Sequence, residues 1–490
     1  MVGMVLRGGS VVDGTGGPRR DADVLVVDGR IHDVLPPGAP APGRTVDVGG
    51  LVVAPGFVDM HAHSDLAVVE DPEHLAKVLQ GVTLEVCGQD GLSYAPASDR
   101  TLERMVSQLT GWNGAPERDP EWRSVADYLD RIDRGAAVNV AYLVPHGTVR
   151  LDVVGDADRP PTDRELAEMV DVVDRGLRDG AVGLSTGLTY TPGMYATDQE
   201  LVALCGAVRD RGGYHGTHHR NYGSHVVEAY QDAIDLARRA SVALHLTHCH
   251  VNFPQNRGRA DEVLRAVDDA VSDGMDVTLD SYPYLAGATY LHALLPSWVQ
   301  SGGAEEVAAR ITDPDVRERV LHELEIVGSD GHHGIPVEWD TIVVAGVAES
   351  CLRPLTGRSI ADLARETGTA PGEFYLDLLV ADSLRSSCRV DVGNEENVQA
   401  VMTHVAHTVG TDGILVGELP HPRGWGTFPR YLGHYVRELG VLTLEEAVAH
   451  MTGRAARRLG LTDRGTVVPG TAADLVVFDP TTVASRATYE

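Results

Sequence analysis

The segment Pro55-Gly56-Phe57-Val58-Asp59-Met60-His61-Ala62-His63-Ser64-Asp65 puts two histidines two residues apart directly after the apolar run Leu51–Val58. Side chains alternate across a strand, so His61 and His63 share one side, and two imidazoles so placed can grip one metal ion. Two ligands are too few for a metal site. Other apolar runs end in further candidates: Val82–Cys87, Tyr214–His218, Val242–His248 and Thr408–Asp412. The set His61, His63, Cys87, His218, His248 and Asp412 matches the thiolate, imidazole and carboxylate preferences of zinc. Alternation also sorts neighbouring histidines. Tyr214, Gly216 and His218 fall on one face of their run and His219 on the other, while His248 and His250 oppose His245. His219 and His245 are therefore expected to pack or hydrogen-bond rather than ligate.

Positioning such residues demands a regular scaffold. Eight apolar strand segments fall near 52–60, 82–87, 138–144, 181–186, 213–218, 242–248, 276–281 and 407–412, with amphipathic helical stretches between most of them. Alternating strands and helices imply a parallel sheet, and eight strands favour a closed (β/α)8 TIM-like barrel of the α/β class over an open doubly wound sheet. Barrel enzymes keep their chemistry at the C-terminal ends of the strands, where these candidates lie. Three helices are expected to open with a Thr-x-x-Glu capping box, at Thr162/Glu165, Thr197/Glu200 and Thr443/Glu446. Asp28-Gly29 marks a hairpin, since both residues suit the positive φ angles of a type I′ turn. The run Ala473–Phe478 has the flavour of Ala22–Val27, so residues 1–54 and 460–490 are expected to join in a small β-sandwich. Residues 55–285 and 341–459 then form the barrel, and 286–340, too long for a simple loop, an inserted helical lid.

Composition narrows the functional classes. A formal charge of −30 opposes nucleic acid binding across most of the surface. No apolar run is long enough to span a membrane and no export signal is visible, so a cytoplasmic chain is expected. Five scattered cysteines do not form a disulfide framework.

At this point a family resemblance becomes specific. The motifs Gly56–His63, Cys87-Gly88, Asn139-Val140-Ala141, His146–Arg150, Gly183–Leu188 with Tyr190 and Pro192, Thr217–Arg220 and Thr247-His248 resemble the D-aminoacylase (N-acyl-D-amino-acid deacylase) branch of the amidohydrolase superfamily. Asp280 with Tyr282-Pro283-Tyr284, Gly410–Gly413, Pro420–Arg423 and Gly426–Arg430 extend the likeness over essentially the whole chain. The resemblance implies one tight zinc held by Cys87, His218 and His248, the cysteine standing where other relatives carry a carbamylated lysine, and a second, weaker position at His61, His63 and Asp412. The single lysine, Lys77, lies off every expected strand end.

The reaction so implied is hydrolysis of the amide bond of N-acyl-D-amino acids by a metal-activated water, with Asp412 as general base. His146 is expected to help stabilise the oxyanion. Arg423 offers a fixed fork of donors for a substrate carboxylate, with Tyr190 and Tyr282 in the pocket. His250 stands where relatives carry a carboxylate-gripping lysine. Its loss of fixed charge leaves open a dipeptidase-like or hydantoinase-like hydrolase of a substrate without that carboxylate. A barrel that lost its metal and serves as a scaffold is a third expectation, opposed by the intact ligand set.

Overall fold

The computed structural model describes residues 3–490. Eight parallel strands form one sheet: Phe57–Asp59, Val82–Cys87, Asn139–Pro145, Gly183–Gly187, Tyr214–His218, Ala243–Leu246, Val277–Ser281 and His407–Val409. They pair in chain order, and each expected strand segment overlaps one of them. The first and last strands meet through Met60 N–H donating to the Val409 carbonyl at 3.0 Å and Asp412 N–H to the His61 carbonyl at 2.8 Å. A parallel bridge between Ala62 and Gly413 continues the seam, so the sheet closes into a barrel. Val58, Met60, Leu84, Val86, Leu143 and Tyr214 fill its lower interior. A larger apolar layer packs between strands and helices.

Local signals explain how the elements begin and end. Asp28 and Gly29 both take positive φ and turn the chain between Arg20–Val27 and Arg30–Leu35. The capping boxes at Thr162/Glu165 and Thr443/Glu446 form in full. That at Thr197 is half made: its hydroxyl accepts from Glu200 N–H, but the Glu200 carboxylate turns instead to His146 and Arg150. Buried ionic partners outcompete a cap, because an unpaired buried guanidinium costs far more than a lost helix-end hydrogen bond.

The chain ends join in a six-stranded mixed sheet. Strand Gly3–Val11 pairs antiparallel with Arg20–Val27 and parallel with both Arg44–Asp47 and Val52–Pro55, while Leu475–Phe478 adds to Val52–Pro55 from the far end of the chain. Between the seventh and eighth barrel strands an insertion builds its own antiparallel sheet from Ala286–Tyr290, Ile342–Gly346 and Ser387–Asp391. Helices Ala304–Thr312, Pro314–His322, Ile360–Thr367 and Pro371–Ala381 surround it over a separate apolar core. The insertion therefore runs past the expected limit of 340. Ser387–Asp391 is the central strand of its sheet, and the unit is incomplete without it. No described helix is long and apolar enough to cross a membrane.

The barrel seam carries a buried ionic knot. Asp59 accepts from Thr411 N–H at 2.8 Å, from the Thr411 hydroxyl at 2.7 Å and from Lys77 Nζ at 2.5 Å. Lys77 also lies 3.5 Å from Glu85 on the second strand, so this single lysine ties the first, second and eighth strands together. Replacing it strands two buried carboxylates, which typically costs about 3–5 kcal/mol. Lys77→Met is expected to lose stability of that order in chemical denaturation; a loss below about 1 kcal/mol would mean that the knot does not hold the seam.

Candidate metal centre

The strand ends deliver side chains to one small region at the mouth of the barrel. His61, His63, Asp90 and Asp412 form one group of close donor atoms, and Asp90, His218 and His248 another, with Asp90 common to both. All six are buried. His61 Nε2 and His63 Nε2 are 3.3 Å apart, and His218 Nδ1 and His248 Nε2 are 3.0 Å apart. Asp412 Oδ1 lies 3.1 Å from His63 Nε2 and 3.6 Å from His61 Nε2.

Three of these residues adopt a backbone that L-residues avoid. Asp90, His248 and Asp412 have φ of 53°, 31° and 48°. Such conformations cost free energy and persist only where surrounding contacts over-determine them, commonly at functional sites. Each is pinned. His248 N–H donates to Asp280 Oδ1 at 3.0 Å, while Asp280 Oδ2 faces His245 Nε2 at 2.8 Å. Asp412 is fixed by the seam. The Asp90 turn is clamped by Ser185, whose hydroxyl donates to the Gly88 carbonyl at 2.5 Å and accepts from Gly91 N–H at 3.0 Å.

Partners outside the group orient the rings. Thr189 Oγ1 lies 2.6 Å from His218 Nε2, and Tyr222 OH lies 3.0 Å from His248 Nδ1, which leaves the opposite nitrogen of each ring facing Asp90. Electrostatics follow the packing. Burial opposes charge on His63, but the Asp412 and Asp90 carboxylates outweigh it and raise its pKa to about 9. Burial wins at His218, which falls to about 4. Burial likewise opposes ionisation of Asp90 and Asp412, yet the facing histidines, with Arg423 beside Asp412, hold both carboxyls below the usual carboxylate range. A cluster of imidazoles and carboxylates with lone pairs turned inward fits a divalent cation with nitrogen and oxygen ligands.

Five of the six expected ligands converge: His61, His63, His218, His248 and Asp412. Cys87 does not join them. Strand alternation puts it on the same face as Glu85, whose carboxylate meets His74 and Lys77, and away from Val86 in the barrel interior. Its thiol is buried in the strand–helix apolar layer, and burial with nearby carboxylates holds its pKa well above the ordinary value. Asp90, three residues on, occupies the place expected for the cysteine. The chain carries a signal for it: Gly88-Gln89-Asp90-Gly91 has the same Gly-x-Asp-Gly form as Gly410-Thr411-Asp412-Gly413. Both aspartates are left-handed.

His146 also lies elsewhere. Its Nε2 is 2.8 Å from Glu200 Oε1 in a buried cluster with Arg150, and it does not line the cavity that opens beside the metal ligands. It follows the third strand as the first residue of helix His146–Val153, so its ring turns back toward the helix layer rather than out over the barrel mouth. His219 stacks on Tyr222 and His245 bonds to Asp280, consistent with their expected packing roles.

The cavity measures about 810 Å³ including its mouth and reaches from the ligands to the insertion. Arg423, Tyr282, Tyr190 and His250 all line it. Arg423 Nη1 lies 2.8 Å from Asp412 Oδ2, and its guanidinium sits 4.5 Å from the Tyr282 ring centre. The His250 ring packs 4.1 Å from that same ring. Arg423 Nε and His250 Nε2 are buried without a hydrogen-bond partner.

Known proteins share this arrangement of chain. Residues 44–489 match the Amidohydrolase family. The D-aminoacylase of Alcaligenes xylosoxydans xylosoxydans is 35% identical over 492 residues, covering 99% of this chain and 90% of its own length. The N-acyl-D-glutamate deacylase of the same organism is 36% identical over 488 residues, with coverage of 99% and 89%. The crystal structure of N-acyl-D-glutamate deacylase from Bordetella bronchiseptica, complexed with zinc and a phosphonate inhibitor that mimics the tetrahedral intermediate, superposes with a TM-score of 0.85 at 34% identity, covering 99% of this chain and 92% of that one. With a (β/α)8 barrel, histidines and aspartates gathered at its mouth and likeness along its whole length, the chain belongs to the amidohydrolase family.

Proposed function

We propose that this protein is a zinc-dependent hydrolase that cleaves the amide bond of N-acyl-D-amino acids to release a carboxylate and a free D-amino acid. The observation that carries this reading is the buried convergence of four imidazoles and two carboxylates beside Arg423 at one end of an open cavity. Zinc at such a site supplies a Lewis acid for the scissile carbonyl and lowers the pKa of water. The preference for the D configuration rests on the relatives.

The protein's own residues supply the remainder. Asp412 is ionised and lies against His63 on one oxygen and Arg423 on the other. It is placed to accept a proton from the attacking water and hand it to the leaving amine. Arg423 pairs through Nη1 with Asp412 and through Nη2 with the Ala288 carbonyl, which leaves one further N–H on each and a buried Nε without a partner. Burial depresses the pKa of His250 to about 3, so its ring is neutral, with Nε2 unpartnered. Both residues pack against Tyr282 at the cavity wall, which supports Arg423, with His250 beside it, as the receptor for a substrate carboxylate. Arg423 alone carries the fixed charge that relatives divide between an arginine and a lysine. With that receptor in place, nothing favours a substrate lacking the carboxylate. The intact donor set likewise opposes a scaffold role.

Sequence identity does not choose the side chain, since D-aminoacylase and the glutamate-specific deacylase score alike. The cavity does. Trp112, Tyr190, Phe253, Leu294, Val390 and Val392 line it, and among the described residues Arg423 is its one permanent cation. His332 and His333 are held neutral by burial. A second carboxylate would be desolvated there without a charged partner, which is costly, so apolar side chains fit. A cytoplasmic location accords with five cysteines that are all unpaired.

Steady-state assays test the reading. N-acetyl-D-leucine or N-acetyl-D-phenylalanine should be preferred over both the L-enantiomer and N-acetyl-D-glutamate by at least about 100-fold in kcat/KM. No turnover of any N-acyl-D-amino acid would retire the proposal, and preference for glutamate would retire the apolar pocket. Asp412→Asn should lower kcat by about 10²–10⁴-fold in protein whose metal content is verified. Arg423→Gln should raise KM for the acids by about 10–100-fold while changing that of their carboxamides little; an equal effect on both would remove its role as carboxylate receptor.

A further inference from the structure

We propose that Asp90 is the ligand that joins two metal positions in this protein, so that its centre is free of sulfur and held together by a carboxylate. The inference rests on metal dependence as read above, and concerns which side chain of this chain does the binding.

Geometry carries it. Asp90 Oδ1 lies 3.6 Å from His61 Nε2, and Oδ2 lies 3.6 Å from His63 Nε2, 3.4 Å from His218 Nδ1 and 3.3 Å from His248 Nε2. One carboxylate thus faces both histidine pairs, and no other residue belongs to both groups of donor atoms. Oδ1 is buried without a hydrogen-bond partner. Most buried side-chain polar atoms have a partner, and this orphan, unlike those of Asp65 and Glu85, is aimed among four imidazoles, which points to a cation.

The backbone is built to present it. Gly88 and Gly91 have φ of +76° and +70° around the left-handed Asp90, so the chain bends at the strand end and throws the carboxylate into the barrel mouth. There is no room for the turn to relax. A Cβ on Gly91 would meet Gly187 N at 2.7 Å, and one on Gly187 would meet the Asp90 carbonyl at 2.0 Å. The segment Gly410–Gly413, alike in sequence and in its left-handed aspartate, presents Asp412 from the other side of the His61-x-His63 strand. Two aspartates therefore flank the first-strand histidines from the neighbouring strands, and the one from the second strand also reaches His218 and His248.

A carboxylate at this position changes the metal chemistry. Thiolate favours soft and borderline ions, whereas carboxylate with imidazole accepts harder ones such as Mn²⁺ and Co²⁺ beside Zn²⁺. A carboxylate that faces both histidine pairs also couples the two positions, so they should fill together.

Cobalt substitution tests this independently of turnover, because thiolate ligation gives Co²⁺ an intense near-ultraviolet charge-transfer absorption that imidazole and carboxylate ligation lack. The purified full chain should bind about two Co²⁺ per molecule by elemental analysis. Its spectrum should lack the charge-transfer band, and Cys87→Ser should leave metal content and spectrum unchanged. Asp90→Asn should weaken metal binding at least about tenfold, and Asp90→Cys should introduce the band. A charge-transfer band in the unaltered protein that disappears in Cys87→Ser would overturn the proposal, as would full metal content in Asp90→Asn. If the Asp90 variants do not fold, the spectra of the unaltered protein and of Cys87→Ser decide it by themselves. A protein that binds cobalt as described but cleaves no N-acyl-D-amino acid refutes the substrate reading and leaves the ligand assignment standing.

Discussion

Four buried imidazoles and two buried carboxylates pressed within a few ångströms of one another are poorly satisfied by protein groups alone. Ring nitrogens 3.0 and 3.3 Å apart require that at least one of each pair present a lone pair, and the orphaned Asp90 oxygen presents another. A divalent cation resolves the conflict, and the geometry of the barrel mouth is arranged around that requirement. The unfavourable backbone at Asp90, His248 and Asp412 is the visible cost of holding the donors ready.

Rigidity at this point depends on what lies beneath it. Asp59, Lys77, Glu85 and Thr411 lock the seam where the first and last strands meet, and the same strands carry His61, His63 and Asp412. Asp280 plays a comparable part at the other side, touching the backbone of His248 and the ring of His245 and lying 3.8 Å from His61 Nδ1. Structural charge and functional charge are thus separated by one layer. The lower layer is paired within itself. The upper layer is left with valences to spare.

The cavity wall draws on a different part of the chain. The insertion between the seventh and eighth strands has its own core and sheet, and contributes Ala288, Thr289, Leu294, Val390 and Val392 to the cavity wall. The barrel carries the donor cluster, and the insertion lines the far part of the cavity.

Most of the scaffold was legible in the sequence because it follows local rules: eight apolar runs, three Thr-x-x-Glu starts and an Asp-Gly turn each depend on residues near in the chain. The His61-x-His63 pair and the parity of Tyr214–His218 were legible for the same reason. Cys87 misled because alternation tells which residues share a face but not which face looks inward, and because the second strand ends three residues before its ligand does. His146 misled because the buried needs of Arg150 and Glu200 decide where its ring turns. The sequence by itself determined the strands, their order and the supply of histidines and aspartates at their ends. Only the tertiary structure decided that Asp90 rather than Cys87 meets those histidines, since that choice depends on a left-handed turn clamped against Ser185 and Gly187, nearly a hundred residues away.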